Sequence, residues 1–360
     1  MPTIGTQQIK LLERLCNASA VSGDEGEVRA IVLEELKGHA DEVRVDALGN
    51  ILAVKTATGP ATAPRTNQKR LRVMISAHMD EVGFMLVADD GEGLFRFVTV
   101  GGIDVRHLPG KAVLIGPQHI PGVIGARPIH LTSAEERKQK IPLDSMRIDT
   151  GPGDSKVKPG DRATFATRFQ RSGPSLLSKA LDNRLGVVNL IELVKHAPAG
   201  IDILAAFTVQ EEIGTRGAKV AAYAFNPALG IAVDATPAND LPDWNGEENF
   251  TYNTKLGFGP AIYVADGSTI NDPRLVRWLV QTAEGMKIPY QLRQPGGGGT
   301  DAGAIHKSQA GVPSVSLSVP HRYSHTAISV ARLDDWKNSL ALLQAALNRL
   351  TPELLAGGRA

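Results

Sequence analysis

At 360 residues the chain is long enough for one large domain or two ordinary ones, and 42% apolar with 21% charged residues is an ordinary globular composition. Lys plus Arg number 39 and Asp plus Glu 38, and a net charge of +1 argues against a broad nucleic-acid or membrane-surface footprint. The single cysteine, Cys16, excludes an internal disulfide and any cysteine-cluster zinc site.

The first residues, MPTIGTQQIKLLERL, lack the basic-then-apolar layout of a signal peptide, and no apolar run approaches the ~18 residues of a membrane span. A cytoplasmic protein without membrane contact is therefore expected. Residues 4–17 predict an amphipathic helix with Ile4, Ile9, Leu11, Leu12 and Leu15 on its apolar face. Ser22 and Glu25 have capping-box spacing for a second helix over 25–38, stopped by Gly38. The stretch 43–55 predicts a hairpin around a Gly-Asn turn, and the polar, Pro/Gly-rich stretch 56–70 a loop. An apolar strand, 70–78, then ends on His78.

From about 84 to 171 the texture changes. Short β-like runs such as GLFRFVTVGG, KAVLIG, GVIGARP and DRATFATRF are separated by Gly, Pro and Asp, with one helix-like polar stretch at 133–140. This predicts an all-β insertion. After 172 helices and strands alternate: a helix over 178–197, a strand over 201–210, a helix over 215–225 and a strand over 229–235. A helix over 273–287, a strand over 289–294, a short helix over 300–308, a strand over 313–319 and a closing helix over 333–350 follow. Alternation of this kind predicts an α/β fold, a mostly parallel sheet sandwiched by helices. The expected division is a discontinuous catalytic domain, 1–83 and 172–360, interrupted by the β insertion, 84–171.

Residues of one chemical kind collect at one structural place. His78 and Asp80 follow the strand 71–77, Glu211 and Glu212 follow 201–209, Asp234 ends 230–233, and His325 follows 313–319. In an open α/β sheet the ligand crevice lies outside the carboxyl ends of the strands. Asp182 joins them from a helix first turn, where a carboxylate is favoured by the helix dipole. Taken singly each has a bland explanation: a strand-end His is ordinarily a satisfied polar residue, a Glu-Glu pair a solvated face, Asp182 a helix-start charge. Those explanations weaken together, because apolar strands are interrupted by such residues at the same end. Asp182, Glu212 and Asp234, with Glu211 beside them, would repel and take up protons in one crevice. Two divalent cations would neutralise them and form a hydrolytic two-metal site, with Zn, Co or Mn suited to mixed imidazole and carboxylate donors.

Other chemistries lack their signatures. HExxH, CxxC, GxSxG and Walker A patterns are absent. The run Gly296 to Gly299 lacks the Lys-Ser/Thr of a phosphate loop, so close backbone approach or loop flexibility is the expected use, with backbone N–H groups at the following helix start able to meet a substrate. His39, His107, His119, His130, His196, His306 and His321 have no supporting partners in sequence and are expected to be structural or exposed.

Six ordered segments carry a resemblance: AHMDEVGFM (77–85), LDNRLG (181–186), TVQEEIGTRGA (208–218), AVDAT (232–236), GTDAGAI (299–305) and VPHRYSHT (319–326). They resemble the glutamyl/deblocking aminopeptidases, the tetrahedral aminopeptidases included, over nearly the whole chain. VGGIDVRHLPGKAVLIG and GVIGARPIHL are similar to that family's dimerisation domain. The resemblance implies a zinc-peptidase type of sheet and a metal cage of His78, Asp182, Glu212, Asp234 and His325. His78 and Asp234 would hold one metal, Glu212 and His325 the other, and Asp182 both. It further implies Glu211 as general base, Asp80 as the carboxylate that orients His78, and a cis bond between Asp182 and Asn183. His321 is the nearest rival to His325. Short peptides with a free N-terminus would be the substrates, and dimers joined through the insertion would build a dodecamer.

Three alternatives stay open at this point. A related dinuclear carboxypeptidase or amidohydrolase would need a cation in the pocket for a substrate carboxylate. A non-catalytic member could retain the fold, although Glu211 is intact. A polysaccharide hydrolase could use paired carboxylates, which would leave the histidines idle. The first side-chain pocket is expected to draw on loops at 236–272 and 300–303, and its preference is not legible in the sequence.

Overall fold

The computed structural model describes residues 2–58, 70–242, 245, 253–293 and 295–357. Most of the loop expected at 56–70, and the end of the strand expected at 289–294, therefore lie outside the described residues.

Helices α1 (Thr6–Asn17) and α2 (Gly26–Leu36) precede the antiparallel hairpin of β1 (Glu42–Val45) and β2 (Ile51–Lys55) and the strand β3 (Arg72–His78). Six strands then close a barrel: β4 (Gly83–Asp89), β5 (Leu94–Val100), β6 (Ala112–Ile115), β7 (Ile120–Gly125), β8 (Arg147–Asp149) and β9 (Arg162–Phe165). The chain returns through β10 (Gln170–Ser172), β11 (Ser175–Ser178), α3 (Leu181–Lys195), β12 (Asp202–Thr208), α4 (Arg216–Phe225) and β13 (Leu229–Pro237). It ends with β14 (Ala261–Tyr263), α5 (Pro273–Met286), β15 (Gln291–Arg293), α6 (Ala302–Ile305), β16 (Ser314–Arg322), β17 (Ser329–Arg332), α7 (Leu333–Asn348) and α8 (Glu353–Ala356).

The main sheet runs β1-β2-β12-β3-β13-β16-β17-β11-β10, with β14 and β15 attached beside β16. Its centre, β12-β3-β13-β16, is parallel, but the pairings on both flanks are antiparallel. The expected "mostly parallel" sheet is thus a parallel centre inside a mixed one. The flanking hairpins were too short and too irregular in pattern to reveal their direction.

The central strands are apolar on both faces because both faces are covered. Val73 and Ile75 of β3, with Ile203 and Ala205 of β12, pack under α1, α2, α3, α5 and α7. Their neighbours Met74, Leu204 and Ala206 pack under α4 and α6. The barrel has its own core, in which Phe84 meets Phe97 and Phe165 edge-on at centroid distances of 5.4 and 5.2 Å.

Three local expectations change. Ser22 and Glu25 form no capping box: the Ser22 hydroxyl donates to Asp80 Oδ2, and Glu25 Oε1 accepts from the Gly23 and Gln210 amides. The helix expected from 178 starts later, because Ser175–Ser178 is a strand and Asp182 and Asn183 have non-helical backbone angles. The polar stretch 133–140 supplies only a 3-10 turn, Glu136–Lys138.

The sheet opens where the site lies. β3 pairs with β12 through His78, whereas its pairing with β13 stops at Ser76 opposite Ala232. Beyond that point β13 follows β16 as far as His321. The strands on either side of this gap diverge at their carboxyl ends and leave the crevice the topology calls for.

Candidate metal centre

Every residue expected at the site reaches it. His78 is the last residue of β3, and its Nε2 lies 3.1 Å from Asp182 Oδ1 and 3.4 Å from Asp234 Oδ1. His325 follows β16 on a left-handed turn, with φ +55°. Its Nε2 lies 3.2 Å from Glu212 Oε2 and 3.8 Å from Asp182 Oδ2. The two oxygens of Asp182 therefore face two different imidazoles. Donor atoms of His78, Asp182 and Glu212 all fall within 4.8 Å of one another. The Asp182–Asn183 peptide bond is cis. Asn183 holds this corner by donating to the Val233 carbonyl at 2.7 Å and accepting the Gly186 amide at 3.1 Å.

Asp80 organises more than the His78 imidazole. His78 Nδ1 lies 3.1 Å from the Asp80 carbonyl and 3.5 Å from its Oδ1. The same carboxylate accepts the amides of Glu211 (3.0 Å) and Glu212 (3.2 Å). It is fixed in turn by the Ser22 hydroxyl at 2.6 Å. Gln210, in the left-handed region at φ +56°, turns the chain sharply so that both glutamates follow.

Electrostatics supply the test of whether cations fit. Burial pushes the Glu211 and Glu212 carboxyls well above the usual carboxylate range, with neighbouring carboxylates adding to the shift. Burial also pushes Asp234 up to about 7. Burial opposes charge on His78, yet Asp182, Asp234 and Asp80 hold its pKa well above the histidine norm. Burial likewise opposes charge on Asp182, but the imidazoles beside it hold its carboxyl below the usual range. A cluster that keeps this many protons is one in which divalent cations would replace them, and imidazole with carboxylate is a matching donor set.

The residues line a cleft of about 600 Å³. Several of its walls had no signal in the sequence. Gly102, Asp104 and His107 come from the segment that forms the barrel, and nothing in a run of β-like segments shows that it lines the same cleft as the strand ends of the main sheet. Arg293 and Tyr263 come from the two short strands beside β16, and the Arg293 guanidinium sits 4.4 Å from the Tyr263 ring. His321 lies inside β16, fully buried, 4.0 Å from Asp182 Oδ2 and 2.9 Å from the Ser324 hydroxyl. Its rival position is thus deeper than that of His325, and of the two only His325 has a ring nitrogen within 4 Å of a Glu212 carboxylate oxygen among the described residues. His107 lines the cleft rather than being merely exposed.

The fold and donor set define a class, an α/β metallohydrolase carrying a β-barrel. Comparison with known proteins narrows it: the chain belongs to the M42 glutamyl aminopeptidase family, whose model it matches over residues 59–342. It is 33% identical over 358 residues to the lysyl aminopeptidase of Pyrococcus furiosus, covering 95% of this chain and 97% of that one. It is 32% identical over 361 residues to the glutamyl aminopeptidase of Lactococcus lactis subsp. cremoris, covering 96% and 97%. Among solved structures, the Pyrococcus horikoshii TET1 peptidase, which can assemble into a tetrahedron or a large octahedral shell, superposes with a TM-score of 0.81 at 33% identity over 95% of this chain and 100% of that one. The family resemblance is borne out, and the chain is a peptide hydrolase of the aminopeptidase type. Metal dependence follows from the family and agrees with the donor set.

Proposed function

We propose that this aminopeptidase works with two divalent cations per chain, Zn or Co with Mn as a third option, and that Glu211 is its general base. His78 and Asp234 would hold one ion, Glu212 and His325 the other, and Asp182 would serve both. The observation that carries this is the placement of Asp182 between the two imidazoles, 3.1 Å from one and 3.8 Å from the other. When bound, the ions supply Lewis-acid polarisation of the scissile carbonyl and a lowered water pKa. Glu211 lines the cleft, and burial, with acidic neighbours adding to it, favours a proton on it, which suits a group that takes a proton from water and returns it to the leaving amine. The surrounding carboxylates favour a substrate with a free, charged α-amine. N-acetylated peptides should therefore be cut far more slowly than free ones. Equal rates on both would refute the aminopeptidase assignment and favour the carboxypeptidase or amidohydrolase alternative.

Arg293 favours an acidic first side chain. The residue is only 4% exposed, donates from Nε to Thr236 Oγ1 (3.2 Å) and from Nη2 to the Gly297 carbonyl (2.9 Å), and forms no ion pair among the described residues. A buried guanidinium is costly without an anionic partner, and a substrate carboxylate would supply one. On a panel of aminoacyl substrates, Glu and Asp should lead. Arg293→Ala should lower that preference roughly 10- to 100-fold; an unchanged panel would reject the role.

We propose further that 1–83 with 172–360 form the catalytic domain and 84–171 the dimerisation module of a dodecameric shell acting in the cytoplasm. Exposed apolar residues on the barrel, including Ile129 at 68% and Leu131 at 57%, support a covered face there. Among the described residues no helix is long and apolar enough to cross a membrane.

A further inference from the structure

The two imidazoles of the centre are held very differently. The His78 side chain is 2% exposed, and its orienting acceptor, the Asp80 carbonyl, comes from its own strand end. The His325 side chain is 38% exposed and sits on a turn in which both Tyr323 (φ +62°) and His325 (φ +55°) are left-handed. Such a turn stores strain and needs outside support to hold one geometry. That support comes from the barrel. His325 Nδ1 donates to the carbonyl of Gly102, 2.9 Å away and 223 residues earlier in the chain. With Nδ1 carrying the hydrogen, the lone pair of Nε2 points toward Glu212 and Asp182.

The same turn also reaches Glu212. Gly101, at φ +87°, follows β5 so closely packed that an added Cβ would lie 2.8 Å from Val82 Cγ1 and 3.4 Å from Glu212 Cβ. A Cβ on Gly102 would lie 3.5 Å from His325 Nδ1. One glycine therefore seats against the root of the Glu212 side chain, and its neighbour against the His325 imidazole, in the same half of the centre. No atom of this turn appears among the His78 or Asp234 partners.

We infer that the Gly101–Gly102 turn of the barrel is the positioning element of the Glu212–His325 half of the centre, so that the insertion completes one of the two cation sites and not the other. This rests on the two-cation proposal above. An acceptor that fixes a ligating imidazole is worth about 10- to 100-fold in metal affinity. The turn should thus set the affinity of one ion selectively.

The test is a chelator-competition titration with Co²⁺ on the full-length protein, comparing wild type, Gly101→Val and Gly102→Val, with thermal melting to check folding. Wild type should bind two ions. Each variant should keep one with wild-type affinity and bind the second about 10- to 100-fold more weakly. Gly102→Val reaches His325 without the positive backbone angle, so it keeps the test valid if Gly101→Val does not fold. Two wild-type affinities in a folded variant, or parallel weakening of both, would overturn the inference while leaving the two-cation proposal intact. A wild type that binds a single ion would overturn both.

Discussion

Asp80 and Glu81 stand side by side and divide the work of holding the centre. Asp80 faces His78, Glu211 and Glu212, while Glu81 turns the other way into a buried ion cluster. Lys179 reaches both Glu81 oxygens at 2.8 and 2.9 Å, Arg184 donates at 3.1 Å, and Thr164 of the barrel at 2.9 Å. Arg184 also donates to the carbonyls of Met79 and Asp80. Lys179 and Arg184 bracket Asp182, so this cluster ties the Asp182 corner to the end of β3. Glu81→Ala would strand two buried cations, and unfolding measurements should show a loss of about 3–5 kcal/mol. Glu211→Gln, by contrast, should leave fold and metal content intact and lower kcat by about 10²- to 10⁴-fold. A near-normal rate in that variant would remove Glu211 from the base role. His78, Asp80, Glu211, Glu212, Asp234 and His325 were visible in the sequence because each ends or follows an apolar strand, and Asp182 because it opens a helix. Ser22, Thr164 and Lys179 were not, since a single polar residue in a loop or short strand carries no pattern.

At the scale of elements, the strongest signals were the long apolar strands and helices, and the weakest were the connections. The β1–β2 hairpin was expected as a local feature, yet its loop works at a distance. Asn50 accepts the Val209 amide at 3.0 Å and donates to the Gly217 carbonyl at 3.2 Å, which clamps the end of β12 just before Glu211. Gly217 has no room for a side chain: a Cβ would lie 2.2 Å from Asn50 Oδ1 and 2.5 Å from the Val209 carbonyl. Gly217→Ala should destabilise the fold by about 1–3 kcal/mol and lower activity through displacement of the glutamate turn. Unchanged melting and activity would show that this clamp is dispensable. The cleft walls supplied by the barrel were illegible for a different reason. Which face of one unit meets another is set by the whole fold, and the local period of a strand does not encode it.

At the scale of the molecule, assembly and metal occupancy are the two properties that the fold makes measurable. Light scattering should give a mass near twelve times the 38.3 kDa chain. Leu131→Asp on the exposed barrel face should lower it, and an unaltered mass would move the interface elsewhere. Metal removal should couple to pH. Asp234, shifted up to about 7 from 3.8 by burial, favours the folded metal-free protein while it keeps its proton. That contribution is present below about pH 4 and is lost as pH rises through about 7, because the folded state binds the extra proton only in between. The metal-free protein should therefore melt lower at pH 8 than at pH 5, and added cations should remove the difference. All of this rests on five side chains holding two ions, with Asp182 common to both. Elemental analysis of the purified protein addresses it most directly. Wild type should carry two divalent ions per chain and Asp182→Ala close to none, whereas an Asp182→Ala protein that retains both ions would contradict the account.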